Sequence, residues 1–197
     1  MITGVEGGLR ERKREQSRAA TAEAAWRLFI EHGYDNVTVA DICAAADIAP
    51  RTFHRYFATK EDVLAEPVRR MARVVADHIA AADLDLGPAT VLTDAMVALG
   101  EFVIGNREWI RALRLVVARS PQVRASNLAL RPDQERELAA LLARGSDADW
   151  RLRLLVGFSV AALRVWLDDY LGGLVGDGPL DHLRELLRYA SEPALGG

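Results

Sequence analysis

The stretch T-V-A-D-I-C-A-A-A-D-I-A-P-R-T-F-H-R-Y-F, residues 38–57, holds two short helical patterns separated by a tight turn. Thr38 and Asp41 have the spacing of a capping box, in which the two side chains satisfy free backbone N–H groups at a helix start. Asp47 suits the left-handed backbone of a turn. Pro50 suits the first position of the next helix, because its φ is already helical and it has no N–H to satisfy. The sequence therefore predicts two short helices joined by a three-residue turn.

The second of these helices, R-T-F-H-R-Y-F, combines an apolar face and a polar face in seven residues. Phe53 and Phe57 are four residues apart, so they share one helical face, and we expect them to pack on the preceding helices. The other side chains can face a DNA duplex, where arginine and threonine contact base edges and a tyrosine hydroxyl commonly contacts a phosphate. The alternative is an ordinary amphipathic helix with a solvated arginine face. The candidate DNA contacts here are Pro50, Arg51, Thr52, His54, Arg55 and Tyr56.

A basic segment and a longer helical pattern precede this pair. The segment R-E-R-K-R-E-Q-S-R, residues 10–18, contains five basic residues. Taken alone, such a run is most often a solvated tail. Apolar residues recur at helical spacing from Ala19 to Phe29, and Gly33 ends the pattern, which predicts a first helix. Together these elements have the outline of a helix-turn-helix DNA-binding domain.

A second capping pattern, T-K-E-D at residues 59–62, opens a long helix that we predict to end at residue 82. Lys60 lies in its first turn, where the helix dipole disfavours a cation. A lysine is understandable there if a phosphate binds at this helix start, since the helix N-terminus itself attracts anions. Pro67 lies inside the helix and should kink it or break one turn. The further candidate DNA contacts are Arg12, Lys13, Arg14, Thr38 and Lys60.

The segment T-V-A-D-I-C-A-A-A-D-I-A-P-R-T-F-H-R-Y-F-A-T-K-E-D-V-L resembles the DNA-binding segment of the TetR family of transcriptional repressors. The turn length, the aromatic positions at the end of the second short helix and the position of Lys60 agree with that family, over about residues 10–65. The resemblance implies a homodimer that binds a palindromic operator. It also implies that a small molecule releases the operator by binding the C-terminal domain.

Three positions depart from the pattern of the family. Asp47 stands where glycine is usual in the turn, and Ala49 stands where a serine or threonine often caps the recognition helix, which forfeits about 1 kcal/mol. His54 stands where a phosphate-contacting tyrosine is usual. A histidine there could contact a phosphate or a base and make binding pH-dependent near neutrality, or it could simply be exposed.

The remaining chain is also read as helical, so the fold class is all-α with about nine helices. Further helices are predicted from Pro88 to Gly105, over residues 108–118, from Ser120-Pro121 toward Gly145 with a kink or split at Pro132, over residues 148–171 capped by Ser146-Asp147, and after Pro179. We predict a disordered N-terminus over residues 1–9, a helix-turn-helix domain over residues 10–58, and an effector-binding and dimerisation domain over residues 59–197.

The helix over residues 148–171 carries two apolar stripes, so both of its faces must be covered. One face can pack within its own domain. The other, with the last helix, can form a four-helix interface across a two-fold axis. The alternative is a fully buried central helix in a monomer. The predicted dimer interface consists of Val160, Leu163, Leu167, Leu183 and Leu187.

Aromatic and basic side chains of the C-terminal region are candidates for an effector pocket, because such pockets are apolar with a few orienting polar groups. Their arginines would suit an acidic or phosphate-bearing effector. Each residue taken singly is more often core or solvated surface than ligand contact. The candidates are His78, Phe102, Trp109, Arg111, Arg114, Trp150 and Phe158.

Composition and motifs argue against other classes of protein. The chain has 197 residues, of which 50% are hydrophobic and 27% are charged, and its single cysteine is Cys43. No export signal and no apolar run of about 20 residues is visible, so we expect a cytoplasmic protein. The sequence contains no phosphate loop, metal-binding spacing or nucleophile motif, so we expect no enzyme, no catalytic residue, no metal and no cofactor. The alternative function is a constitutive or architectural DNA-binding dimer without an effector.

Overall fold

The computed structural model describes residues 4–83, 85–119, 132–144 and 149–191. Within these ranges the chain forms nine α-helices and one short 3-10 helix, and no strand. This confirms the all-α prediction. The helices are α1 Gly4–His32, α2 Val39–Ala45, α3 Pro50–Tyr56, α4 Lys60–Ala81, α5 Pro88–Gly105, α6 Arg107–Arg119, α7 Pro132–Ala143, α8 Trp150–Gly172 and α9 Pro179–Ser191.

The chain divides into two compact units. Among the described residues, the first unit comprises those up to Val68 and residues 112–119, and the second comprises Arg69 to Arg111 and the described residues from 132 onward. The division falls inside α4, whose early residues Val63 and Leu64 are buried. The first unit therefore includes the start of α4, which the prediction placed in the domain over residues 59–197.

The local structure of the helix pair agrees with the sequence. The Thr38 hydroxyl accepts a hydrogen bond from the Asp41 N–H at 3.2 Å, and the Asp41 carboxylate accepts one from the Thr38 N–H at 2.8 Å, which confirms the capping box. Asp47 has a φ of 51°, which is the left-handed conformation expected of the turn. Helix α3 begins at Pro50, and Ala49 before it makes no side-chain cap bond.

Some boundaries differ from the predictions. Helix α1 begins at Gly4, although residues 1–9 were predicted to be disordered; extending an existing helix costs less than starting one, even though Gly4, Gly7 and Gly8 are poor helix formers. Helix α4 continues through Pro67 without the broken turn that the sequence allowed. Helix α7 begins at Pro132, and the predicted helical residues 120–131 lie outside the described residues.

The residue that caps the start of α8 differs from the predicted one. Its cap is Asp149, whose carboxylate accepts a hydrogen bond from the Leu152 N–H at 2.9 Å. The sequence pattern had assigned this role to Ser146-Asp147, which lie outside the described residues. Both choices place an acidic residue at a helix start, so propensity alone did not distinguish them.

The core of the second unit is built by α5, α8 and α9, with contributions from α4 and α7. Helix α5 comes close to α9: a Cβ on Gly100 would lie 2.6 Å from a methyl carbon of Leu183. Helix α5 is the one helix of the described chain that is long and apolar enough to cross a membrane. Seven of its residues are buried in this core, as expected of the central helix of a globular unit.

The predicted dimer interface requires correction. Val160, Leu163, Leu183 and Leu187 are each at most 8% exposed in the single chain, and they belong to the core of the second unit. Leu167 is partly buried against the same core. Four of the five side chains are already covered by their own domain, and Leu167 alone keeps part of its surface accessible to a second copy.

Candidate nucleic-acid interface

Helix α3 separates its two faces as the sequence predicts. Phe53 and Phe57 are at most 1% exposed and lie 5.6 Å apart between ring centroids. On the other side Arg51, His54 and Arg55 are exposed. Thr52 and Tyr56 are half-buried, and Pro50 at the helix start is exposed. The buried aromatic face fixes the helix on its unit and leaves a positively charged face open to a partner.

Tyr56 gathers positive charge at the end of α3. Arg55 Nη2 donates a hydrogen bond to its hydroxyl at 3.1 Å, and the guanidinium lies 5.1 Å from the ring centroid. A hydrogen bond with Ser17 lowers the pKa of Tyr56, with smaller contributions from Arg55 and Arg14. Residues of α1 and α3 that are far apart in the sequence thus surround one hydroxyl group. Such a group of donors is suited to a phosphate oxygen.

The basic segment belongs to α1. Arg12, Lys13 and Arg14 are exposed on this helix, in the two turns that precede Ser17. Their positions are therefore fixed by the helix rather than by a flexible arm. The proximity of Arg14 to Tyr56 places one of them beside the recognition helix.

Thr38, predicted as a DNA contact, is engaged in its own helix cap. Its hydroxyl donates to Asp41 Oδ2 at 2.6 Å and accepts from the Asp41 N–H. The hydrogen bond from the Thr38 hydroxyl holds the pKa of the Asp41 carboxyl below its usual value. In this arrangement Thr38 serves the start of α2.

Lys60 is also engaged within the protein. Its Nζ donates to the carbonyl oxygens of Tyr34 at 2.8 Å and Val37 at 2.9 Å, and it lies 4.0 Å from the centroid of the Tyr34 ring. The Tyr34 hydroxyl in turn donates to Glu61 at 2.8 Å, which lowers the pKa of Glu61, while burial raises the pKa of Tyr34. Two of the three ammonium hydrogens therefore hold the start of α4 against the turn after α1.

Sequence reasoning missed Ser17, Arg18 and Glu66. Arg18 was counted only as part of the basic segment, yet it pairs with Glu66, which lies 48 positions away. Helical spacing relates neighbours three or four positions apart, so no signal in the sequence connects these residues. Their positions are set by how α1 and α4 pack.

Sequence reasoning also missed an exposed apolar stripe on α8, two of whose members, Trp150 and Phe158, it had assigned to an effector pocket. Leu154, Phe158 and Val165 are 48%, 51% and 48% exposed, and Trp150 at the helix start is 56% exposed. With exposed Ala161, they recur every three or four residues along one face of α8. The spacing is visible in the sequence, but α8 is apolar on both faces, so spacing alone did not show which face the core would cover.

The predicted effector residues occupy several different places among the described residues. Phe102 packs edge to face against Trp109, with ring centroids 6.5 Å apart, and the Arg70 guanidinium lies 5.2 Å from the Trp109 ring. Trp150 and Phe158 are exposed on α8. Arg111 and Arg114 are exposed on α6. Phe102 and Trp109 thus pack against each other, whereas Trp150 and Phe158 belong to the exposed stripe, and a pocket formed by these four aromatic residues stays a prediction.

The second unit instead has an open groove of about 350 Å³, which contains one of the predicted residues, His78. Asp94 and Glu101 of α5 supply two carboxylates, and Arg184 of α9 supplies a guanidinium. The groove is lined by His78, Thr93, Asp94, Val97, Ala98, Glu101 and Arg184. In the described part of the chain, no three His, Cys, Asp or Glu side chains are placed to hold a metal ion.

Comparison with known proteins agrees with this interface. Residues 22–66 match the family model for bacterial regulatory proteins of the tetR family. The HTH-type transcriptional regulator TcmR of Streptomyces glaucescens is 30% identical over 168 residues, which cover 80% of this chain and 74% of TcmR. The chain therefore belongs to the TetR family, and it is a DNA-binding transcriptional regulator rather than an enzyme.

Two solved structures show the same fold. The fatty acid degradation regulator FadR from Bacillus halodurans aligns with a TM-score of 0.64 and 16% identity, over 91% of this chain and 96% of FadR. The multidrug binding protein EbrR, whose structure was determined in complex with imidazole, aligns with a TM-score of 0.53 and 25% identity. That alignment covers 89% of each chain.

Proposed function

We propose that this regulator is a cytoplasmic repressor that binds a palindromic operator as a homodimer and is released by a small-molecule effector. The observation that carries the proposal is the structure of α3, which buries Phe53 and Phe57 and exposes Arg51, His54 and Arg55. A short helix with this division of faces fits the major groove, where its first residues contact base edges.

The two ends of α3 have different roles in this proposal. Arg51 and Thr52 lie in its first turn and read base edges, and His54 contacts a base or a phosphate. The cluster of Arg55, Tyr56 and Arg14 binds a phosphate, assisted by the exposed Arg12 and Lys13 on α1. Lys60 supports the site mainly through its bonds to Tyr34 and Val37.

The exposed stripe on α8 supports the homodimer. An apolar face formed by Leu154, Phe158, Ala161 and Val165 is unfavourable in water, and a second copy of the same helix covers it across a two-fold axis. A two-fold dimer presents two α3 helices, so its operator is palindromic, with half-sites separated by about 34 Å or a multiple of one DNA turn. The stripe replaces the buried residues first predicted for this role.

Effector release is proposed from the groove and from α4. EbrR, which shares the fold, is a multidrug binding protein by its description. The groove volume of about 350 Å³ is at the lower end of the range for small-molecule sites. Helix α4 begins at Lys60 and carries His78 near its other end, so a ligand beside His78 contacts the helix that also borders the DNA-binding residues. Two carboxylates in the groove favour an effector with a cationic group over the acidic effector first expected.

The proposal is tested by operator selection and ligand binding on the full-length protein. The operator is selected from random duplex DNA, and its affinity is then measured with and without a ligand found by a thermal-shift screen. We expect a palindromic operator and weaker binding when the ligand is present, since a ligand shifts affinity only by favouring the released state. A ligand that binds without changing operator affinity would leave the constitutive DNA-binding dimer as the function.

A second measurement tests whether Pro67 in α4 takes part in the response to the effector. Pro67 lies inside α4, next to the division between the two units, and it has no N–H for the helical hydrogen bond. We expect Pro67→Ala to change the effector response more than it changes affinity for the operator without effector. An equal effect on both quantities would show that Pro67 acts only on folding or DNA binding.

A further inference from the structure

The first unit contains an ion pair that is almost completely buried. The Glu66 side chain is 1% exposed, and the Arg18 side chain is 17% exposed. Arg18 Nη2 lies 2.5 Å from Glu66 Oε2, and Nη1 lies 3.3 Å from Oε1, so the guanidinium and carboxylate meet through two parallel hydrogen bonds. This pair fixes one point of α4 against one point of α1.

The same guanidinium contacts the end of the recognition helix. The Arg18 Cζ lies 5.0 Å from the centroid of the Phe57 ring, and Nη1 lies 3.4 Å from a carboxylate oxygen of Glu15 on α1. The preceding residue, Ser17, is on the same helix and contributes to the lowered pKa of Tyr56. Arg18 of α1 therefore contacts the residue that directly follows α3, and Glu66 of α4 holds Arg18 in place.

Stability alone does not explain why this position carries charges. A buried ion pair must overcome the loss of hydration of both groups, and apolar side chains of similar volume are often as stable or more stable in its place. An apolar contact tolerates sliding and rotation, whereas two parallel hydrogen bonds define both the distance and the orientation of the partners. Unlike an apolar contact, the ion pair therefore fixes the distance and orientation between α1 and α4.

We propose that Arg18 and Glu66 are positioning residues for operator recognition: through the contact of Arg18 with Phe57 they set the orientation of α3 relative to α1 and α4. Neither residue contacts DNA in this proposal. The inference rests on the proposed sequence-specific binding. It adds that this specificity depends on a buried pair behind the recognition helix.

The test replaces the pair with apolar side chains of similar size in the full-length protein. In the double variant Arg18→Met and Glu66→Leu, the methionine can still cover the Phe57 ring. We expect its melting temperature to equal or exceed that of the wild type. We expect its affinity for the selected operator, relative to random duplex DNA, to fall about tenfold, as for one lost base contact. A double variant with wild-type stability and a wild-type affinity ratio would overturn the proposal.

Two further variants separate positioning from folding. Arg18→Lys keeps the charge but cannot form both parallel bonds, so its operator-to-random affinity ratio should lie between those of the wild type and the double variant. If the double variant fails to fold, Glu66→Gln, which keeps the shape of the side chain, is measured at a temperature where circular dichroism shows native helix content. An unchanged ratio in Glu66→Gln would then overturn the proposal.

The controls distinguish this inference from the proposed function itself. Asp181→Asn removes an exposed pair with Arg184 in the second unit and should leave the affinity ratio unchanged. If the wild-type protein selects no DNA sequence, sequence-specific binding fails. If it selects an operator that the double variant binds equally well, only the positioning role of Arg18 and Glu66 fails.

Discussion

Helices α3 and α8 each bury one face and expose the other, but the exposed faces have opposite chemistry. Helix α3 exposes Arg51, His54 and Arg55, whereas α8 exposes Leu154 and Phe158. A charged face is stable in water and binds DNA by releasing counterions, so its contact is reversible and depends on salt. An apolar face is unfavourable in water until another apolar surface covers it. The two exposed faces thus suit two kinds of partner, DNA for α3 and, in the proposed dimer, a second copy for α8.

The largest effect is expected from placing a charged residue on the exposed apolar face of α8. Phe158→Glu places like charges opposite each other at the proposed two-fold interface, so we expect a monomer by light scattering. Because Phe158 is 51% exposed in the single chain, helix content should be retained. Loss of the second half-site should weaken operator binding by about 100-fold or more, since linked sites gain affinity by this order.

A matched substitution on the opposite face of α8 sharpens this comparison. Leu163 is 8% exposed in the core, so Leu163→Glu should lower the melting temperature strongly instead of producing a folded monomer. Circular dichroism and light scattering distinguish the two outcomes. A Phe158→Glu protein that stays dimeric would exclude the exposed stripe as the interface.

The second-largest effect is expected on the exposed face of α3. Arg51→Ala should weaken binding to the selected operator by about 1–3 kcal/mol, the discrimination that one good arginine–base contact supplies. Affinity for random DNA should change much less. Gel shifts at several salt concentrations measure both. Equal losses for operator and random DNA would assign Arg51 to a phosphate instead of a base.

The contrast between α3 and α8 also shows what the sequence can predict. Thr38, Asp47 and Pro50 act through bonds and dihedral angles within a few residues, so their pattern predicts the helix pair, and the structure agrees. The faces of α8 depend on packing against α9, the next helix along the chain, and against α5, which lies far earlier in the sequence, so they are decided by tertiary contacts. With leucine, valine and phenylalanine on both sides, the helix gives no local sign of which side is covered.

Lys60 shows, for a single side chain, the same limit on what the sequence can predict. Its place in a helix start indicated a phosphate contact, because the dipole rule leaves a cation there unexplained. The structure supplies another partner, the carbonyl oxygens of Tyr34 and Val37, which come from a turn earlier in the chain. Local electrostatics predicted a phosphate near Lys60, whereas packing places two backbone carbonyl oxygens there.

A third prediction separates these two roles of Lys60. Lys60→Met removes both carbonyl contacts and should lower the free energy of unfolding by about 1 kcal/mol. Since the ammonium is largely engaged within the protein, the salt dependence of operator binding should change by less than the roughly one unit expected of a full phosphate contact. Arg55→Ala is the comparison, and it should show the full change. A loss of one unit in Lys60→Met with unchanged stability would assign the lysine to DNA.

The smallest effect is expected at the cap of α2, which supports the DNA-binding face without belonging to it. The Thr38 hydroxyl and N–H hold the pKa of Asp41 below its usual value, so the ionised carboxylate is favoured in the folded state. A lowered folded-state pKa contributes stability above the unfolded value of 3.8, and that contribution disappears as the pH falls through the lower folded value. Thr38→Ala should therefore lower the melting temperature slightly at pH 7. Below about pH 4 its stability should fall less than that of the wild type, because the contribution of the capped Asp41 carboxylate is already absent. Operator affinity at neutral pH should remain close to wild type if the role of Thr38 is the cap alone. A marked loss of affinity at unchanged stability would instead return Thr38 to the DNA contacts predicted from the sequence.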